Sequence, residues 1–190
     1  MDYVITILTG LLIGIIPSST LTKNIIVKMK FKGDLSCKII SFIFDFTKGV
    51  EIVLISKYFF NFDFMGIMIS LIIGVLSHGF IQGFKFITVE GQFLALSGLS
   101  IFLPIVVLVW MTIWLISFAY KRMANFSLVT ATMLTGLVSV TLPNILNNKY
   151  LFTNPAANSG LEFSLFVGFL FTFVLLTQFY KFKSCIYKNN

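Results

Sequence analysis

Asp45-Phe46-Thr47-Lys48-Gly49 sets a carboxylate and an ammonium three residues apart inside an apolar run. On a helix that spacing puts both side chains on one face. Lys38 and Ser41 precede them on nearly the same stripe, and Glu51 continues it. Ionisable groups at membrane depth are costly, so such a stripe faces a cavity or a partner rather than lipid. Two readings follow: a polar ligand site, or an internal Asp–Lys pair that fixes helix packing. Downstream, Ser77-His78-Gly79-Phe80 leads through Phe84-Lys85-Phe86 to Thr88-Val89-Glu90-Gly91. A lone His at a helix end is either a satisfied polar group or a proton-transfer group. The stretch from Gly79 to Gly91 carries three glycines and Lys85 ahead of a helix start at Gln92. Glycine-rich backbone entering a helix N-terminus is an anion-binding pattern. Glu90 at that terminus favours the helix dipole but repels a phosphate. Near the start of the chain, Gly10 and Gly14 have the spacing of close-packed membrane helices. Pro17-Ser18-Ser19 then loosens that helix and exposes hydroxyls and backbone groups.

The elements that position these residues are legible from hydropathy. The 190 residues are 57% hydrophobic and only 11% charged, against about 25% charged in soluble domains. Mean hydropathy is +0.97. Aromatics make up 16% of the chain, and there are 23 Phe, which fits a lipid-facing surface. The expected class is an all-α integral membrane protein forming one polytopic domain over 1–190. Apolar segments of near-spanning length fall at 3–21, 38–60, 64–82, 103–121, 125–143 and 161–180. A shorter one, 92–102, makes a helix of roughly 16 Å. Met1-Asp2-Tyr3 lacks the basic region of a secretory signal, so 3–21 reads as a retained first span.

Charge asymmetry decides whether 92–102 crosses. If it does, with the N-terminus outside, eleven Lys and Arg lie inside against Lys57 and Lys149 outside, and Lys48 stays within the membrane. If it does not, Lys121 and Arg122 move outside. The positive-inside rule therefore favours about seven transmembrane helices. The short one must be shielded by protein. The net charge of +7 is explained by this topology and by contact with anionic lipid, so nucleic acid is not an expected partner. Cys37 and Cys185 lie in basic segments, and one His cannot build a zinc site. Neither metal nor cofactor is expected.

In these residues the chain resembles the bacterial acyl-phosphate:glycerol-3-phosphate acyltransferases of the PlsY type. Gly14-Ile15-Ile16-Pro17-Ser18 is similar to the Gly-Ser-Ile-Pro of their first helix. Asp45-Phe46-Thr47-Lys48-Gly49 matches their Asp-x-x-Lys-Gly. Ser77-His78-Gly79-Phe80 with Phe84-Lys85-Phe86 resembles their Gly-His-x-Phe…Phe-Lys segment, and Trp110 to Thr135 looks like their later helices. The likeness covers most of residues 3–143. It implies a PlsY-like arrangement of seven helices with the N-terminus outside, in the bacterial cytoplasmic (inner) membrane. It also implies transfer of an acyl group from acyl phosphate to glycerol-3-phosphate, the first acylation of phospholipid synthesis. By the resemblance, His78, Lys48 and Asp45 stand at catalytic positions, and Ser18, Ser19, Lys85 and Gly91 at substrate-binding ones.

The departures are in the phosphate contacts. The family's Gly-Ser-Gly-Asn stretch has no counterpart between Lys23 and Ser36. Its Gly-Gly-Lys-Gly loop stands here as Thr88-Val89-Glu90-Gly91, and its C-terminal Arg- and Asn-bearing motif is missing from Gln178 to Asn190. Acyl phosphate is already activated, so catalysis depends on cations and backbone donors that hold phosphates. Losing them removes most of the rate. The expected function is a divergent relative impaired in glycerol-3-phosphate acylation, acting as a lipid-binding or membrane-complex subunit. Its expected partners are membrane lipid, acyl phosphate and other membrane subunits. The alternatives are an active acyltransferase using acyl phosphate or another acyl donor and a lipid or glycerol-3-phosphate acceptor, and a small-molecule transport component. No paired inverted halves support the last.

Overall fold

The structure, a computed structural model, describes residues 2–16, 34–81, 90–147 and 155–187. Within them the protein is all helical: α1 (Asp2–Ile15), α2 (Asp34–Leu54), α3 (Phe64–Ile81), α4 (Glu90–Phe102), α5 (Pro104–Lys121), α6 (Ala124–Thr141), the single turn α7 (Pro143–Leu146) and α8 (Gly160–Tyr187). Most of these lie where the apolar segments predict. Their ends follow local chemistry. α1 stops at Ile15, two residues before Pro17, which has no N–H to continue it. α2 widens into a π-helical turn over Ile55–Phe59. Asn61 then takes φ 50°, and the Asp63 carboxylate accepts the Gly66 N–H at 2.9 Å to cap α3. Pro104 and Pro143 open α5 and α7. Ser159 accepts the Glu162 N–H at 3.1 Å while Glu162 accepts the Asn158 N–H at 2.8 Å, a reciprocal cap on α8. α8 runs past the expected end at 180, because Lys181 and Lys183 are good helix formers although they end the apolar run.

Side-chain pairings set the direction of each helix. Thr6 meets Ser70 and Gly10 meets Ser77, so α1 and α3 run parallel. Phe42 meets Phe93, and Gly49 meets Ser97, so α2 and α4 run parallel. Phe64 at the start of α3 stacks near Phe163 at the start of α8, and also meets Phe102 at the end of α4. α5 and α6 form a hairpin at Arg122, the left-handed C-cap of α5, and the Trp110 indole donates to Thr132 Oγ1 at 3.3 Å across it. Gly136 faces Phe171, and Gly168 faces Val140, so α6 and α8 are antiparallel. Thus α1, α3, α5 and α8 point one way, and α2, α4 and α6 the other.

α3 is the centre, with Phe64, Ile67, Met68, Leu71 and Val75 all at most 1% exposed. α4 measures about 20 Å and is surrounded: Gln92, Leu94, Ala95, Leu96, Ser97 and Leu99 are all buried. It is a regular helix sheltered by α2, α3 and α5. α5 and α6 are long and apolar enough to cross a membrane. An open apolar groove of about 430 Å³ runs between α6 and α8 past Gly136, Val140, Leu165 and Phe169.

Candidate functional site

One end of the bundle collects the last turns of α1 and α3 and the first turns of α4, beside the middle of α2. Gly14 and Gly49 make this possible. A β-carbon on Gly14 would collide with the Gly74 carbonyl and the Ser77 hydroxyl, and one on Gly49 with the Leu94 carbonyl and Ser97 hydroxyl. The bare backbones let α1 close on α3 and α2 on α4. That closeness brings the side chains of α2 within reach of the end of α1.

Asp45 and Lys48 face inward together, 0% and 4% exposed, and His78 of α3 joins them at 2%. Lys48 Nζ lies 3.5 Å from Asp45 Oδ1 and 3.4 Å from His78 Nδ1, and it donates a short hydrogen bond to the Ile16 carbonyl. His78 Nε2 lies 3.7 Å from Asp45 Oδ1. An ammonium only donates, so the nitrogen facing it carries the lone pair and the ring proton sits on Nε2, toward Asp45. Charge-assisted N–H···O bonds run near 2.7–2.9 Å, so the Asp–Lys contact is a loose pair. The Ile16 carbonyl is the tighter partner. It belongs to the open end of α1, where the helix leaves carbonyls unbonded and the dipole favours a cation.

Chemically, this is a buried cluster of one carboxylate, one ammonium and one imidazole. Among the described residues the Lys48 ammonium faces three acceptors: Ile16, Asp45 and His78. Both imidazole nitrogens are turned to charged neighbours. None of these three residues is more than 4% exposed.

The predicted site residues divide into three sets. Asp45, Lys48 and His78 are brought together. Gly91 is buried in the first turn of α4, at the same end of the bundle. Ser18, Ser19 and Lys85 lie outside the described residues. The polar stripe on α2 is narrower than expected, because Glu51 is exposed. Six residues beyond Asp45, it points about 120° away from it around the helix. Ile52, not Glu51, continues the buried face. The side chains of Lys38 and Ser41 lie outside the description.

Two features escaped the sequence reading. The Ile16 carbonyl is a backbone group, and its only sequence signal is Pro17 ending the helix. The other is a buried amide pair, in which Gln178 of α8 donates through Nε2 to Gln92 Oε1 of α4. A Gln in each of two apolar helices was the available signal. Among the described residues no cluster of His, Cys, Asp and Glu is suited to a metal ion. Comparison of the chain with family models, with curated proteins and with solved structures finds no match.

Proposed function

We propose that the chain is a polytopic membrane protein divergent from the PlsY-type acyltransferases, in which the catalytic end has become a closed polar clamp. In this reading it turns over little or no glycerol-3-phosphate and acts as a lipid-binding or complex-forming subunit. The observation that carries it is the Lys48 ammonium, 4% exposed and facing three acceptors among the described residues. Holding acyl phosphate or glycerol-3-phosphate needs N–H groups aimed at phosphate oxygens. Each charge-assisted contact forgone is worth about 1.5–3 kcal/mol, or about tenfold to a hundredfold in rate.

The membrane reading rests on surface and topology. The apolar window of α5 is only 11% buried, so this is not the core helix of a soluble protein, and it lies far from the N-terminus. Leu108, Met111, Leu115 and Ile116 of α5, and Leu161, Leu165, Phe169 and Leu176 of α8, all face outward. Water does not tolerate an apolar surface of that extent on a monomer. The alternating directions of α1 to α6 and α8 fit seven crossings. Lys121 and Arg122 are exposed at the end that holds Asp45 and His78, which supports reading that end as cytoplasmic by the positive-inside rule, with the N-terminus outside. A bacterial inner membrane is the setting the resemblance implies.

Purified protein supplied with acyl phosphate and glycerol-3-phosphate is expected to form no lysophosphatidate above a protein-free control. Robust product would overturn the loss of turnover and favour the active acyltransferase. Single cysteines placed at the two ends should differ in labelling from outside intact cells. Equal labelling of both would exclude an odd number of crossings.

A further inference from the structure

We propose that the first turn of α4, together with Gln178 of α8, binds the uncharged headgroup of an acylglycerol, a hydroxyl beside an ester carbonyl. The inference rests on the membrane reading above. Gln92 and Gln178 are 1% and 4% exposed. Gln178 Nε2 donates to Gln92 Oε1, while Gln92 Nε2 and Gln178 Oε1 are buried without a partner. Exchanging oxygen and nitrogen in both amides reverses the bond but still leaves one donor and one acceptor. Unmade hydrogen bonds of buried amides are costly, so a pair left half satisfied is explained by a third group that completes it.

The site specifies what that group is. Gln92 is the third residue of α4, whose first N–H groups have no acceptor within the helix and carry its positive dipole end. These donors, with the Gln92 amide, ask for an acceptor oxygen. The unpaired Gln178 oxygen asks for a donor. An anionic oxygen satisfies only the first demand and is repelled by the Gln178 carbonyl oxygen. A hydroxyl beside a carbonyl satisfies both. Gln178 lies roughly 27 Å along α8 from Gly160, close to the thickness of a hydrocarbon core of about 30 Å. That is the depth at which the glycerol esters of a lipid reside.

The test uses the purified full chain in detergent, with 1-oleoylglycerol as probe and native mass spectrometry as readout. The comparison ligands are oleoyl-lysophosphatidate and free glycerol. The double variant Gln92→Leu with Gln178→Leu removes both unpaired groups and is expected to fold at least as well. Gln92→Glu keeps the acceptor for Gln178 but replaces the free donor. Both variants should bind 1-oleoylglycerol about tenfold more weakly or worse, and the unmodified protein should prefer it to lysophosphatidate and to glycerol. Binding unchanged in both variants overturns the proposal, as does a preference for lysophosphatidate, equal binding of chain-free glycerol, or no binding of 1-oleoylglycerol. Alkaline carbonate extraction separates the two layers of the argument. Release of the chain from membranes defeats the membrane reading itself, whereas retention without 1-oleoylglycerol binding defeats only the site.

Discussion

A β-carbon at Gly14 or Gly49 would strike the backbone of the neighbouring helix, whereas at Gly136 and Gly168 it would meet only side chains, Phe171 Cβ at 3.1 Å and Val140 Cγ2 at 3.0 Å. The two regions are held by different physics. Among α1 to α4, backbones approach closely, serine hydroxyls reach across to carbonyls, as Ser70 does to Thr6 at 3.0 Å, and the buried charges lie there. Among α5, α6 and α8, contact is made mostly by aromatic and aliphatic side chains, with Trp110, Trp114 and Phe118 stacked along one helix and an open groove between α6 and α8; hydrogen bonds cross here too, from Trp110 to Thr132 and from the Ser164 hydroxyl to the Val140 carbonyl at 3.3 Å. Backbone contact fixes how each helix is rotated, because neither surface can deform. Rotation then decides which side chains meet. The buried charges therefore sit in the region where rotation is fixed.

The largest expected effect breaks the charge cluster. Lys48→Met leaves the Asp45 carboxylate buried without its ammonium neighbour, and breaking a buried ion pair from one side costs about 3–5 kcal/mol. The double variant Lys48→Met with Asp45→Asn removes both charges and should recover a good part of that loss. Thermal unfolding in detergent reads both proteins. If single and double variants melt alike, Asp45 and Lys48 are not coupled and the clamp reading fails.

Next comes the close-packed region itself. Gly49→Val forces α2 away from Leu94 and Ser97, an overpacking cost of about 3 kcal/mol. Gly136→Ala meets Phe171 Cβ at 3.1 Å, a contact that a shift of α8 by a few tenths of an ångström relieves, and should cost about 1 kcal/mol. Melting temperatures of the two variants compare the regions directly; similar losses would erase the distinction drawn here.

Smaller still, Trp110→Phe removes the hydrogen bond to Thr132 in the α5–α6 hairpin and should cost about 1 kcal/mol, the worth of one such bond. Glu51→Gln should fall within about 0.5 kcal/mol of the unmodified protein, since exposed substitutions away from a network rarely exceed that. A loss at Glu51 as large as that at Lys48 would restore the full polar stripe on α2.

Much of this was legible in single segments. Helix positions followed from runs of apolar residues, and the shelter of α4 followed from its being shorter than a full span. The Asp45–Lys48 pair followed from a spacing of three. Close packing at Gly10 and Gly14 was likewise local, because a missing side chain shows in the sequence wherever the partner is. The Ile16 carbonyl was not legible, because a backbone acceptor has no letter of its own.

What the sequence determined by itself is therefore which segments are helices and which residues share a face of one helix, because both depend on neighbours within a few turns. What only the tertiary structure decided is which faces meet. His78 joins Lys48 across thirty residues, and Gln178 joins Gln92 across eighty-six. Glu51 turns outward although it lies one turn from Lys48. Each outcome depends on the rotation and depth of two helices relative to each other, and those are set jointly by glycine contacts and apolar packing on separate segments.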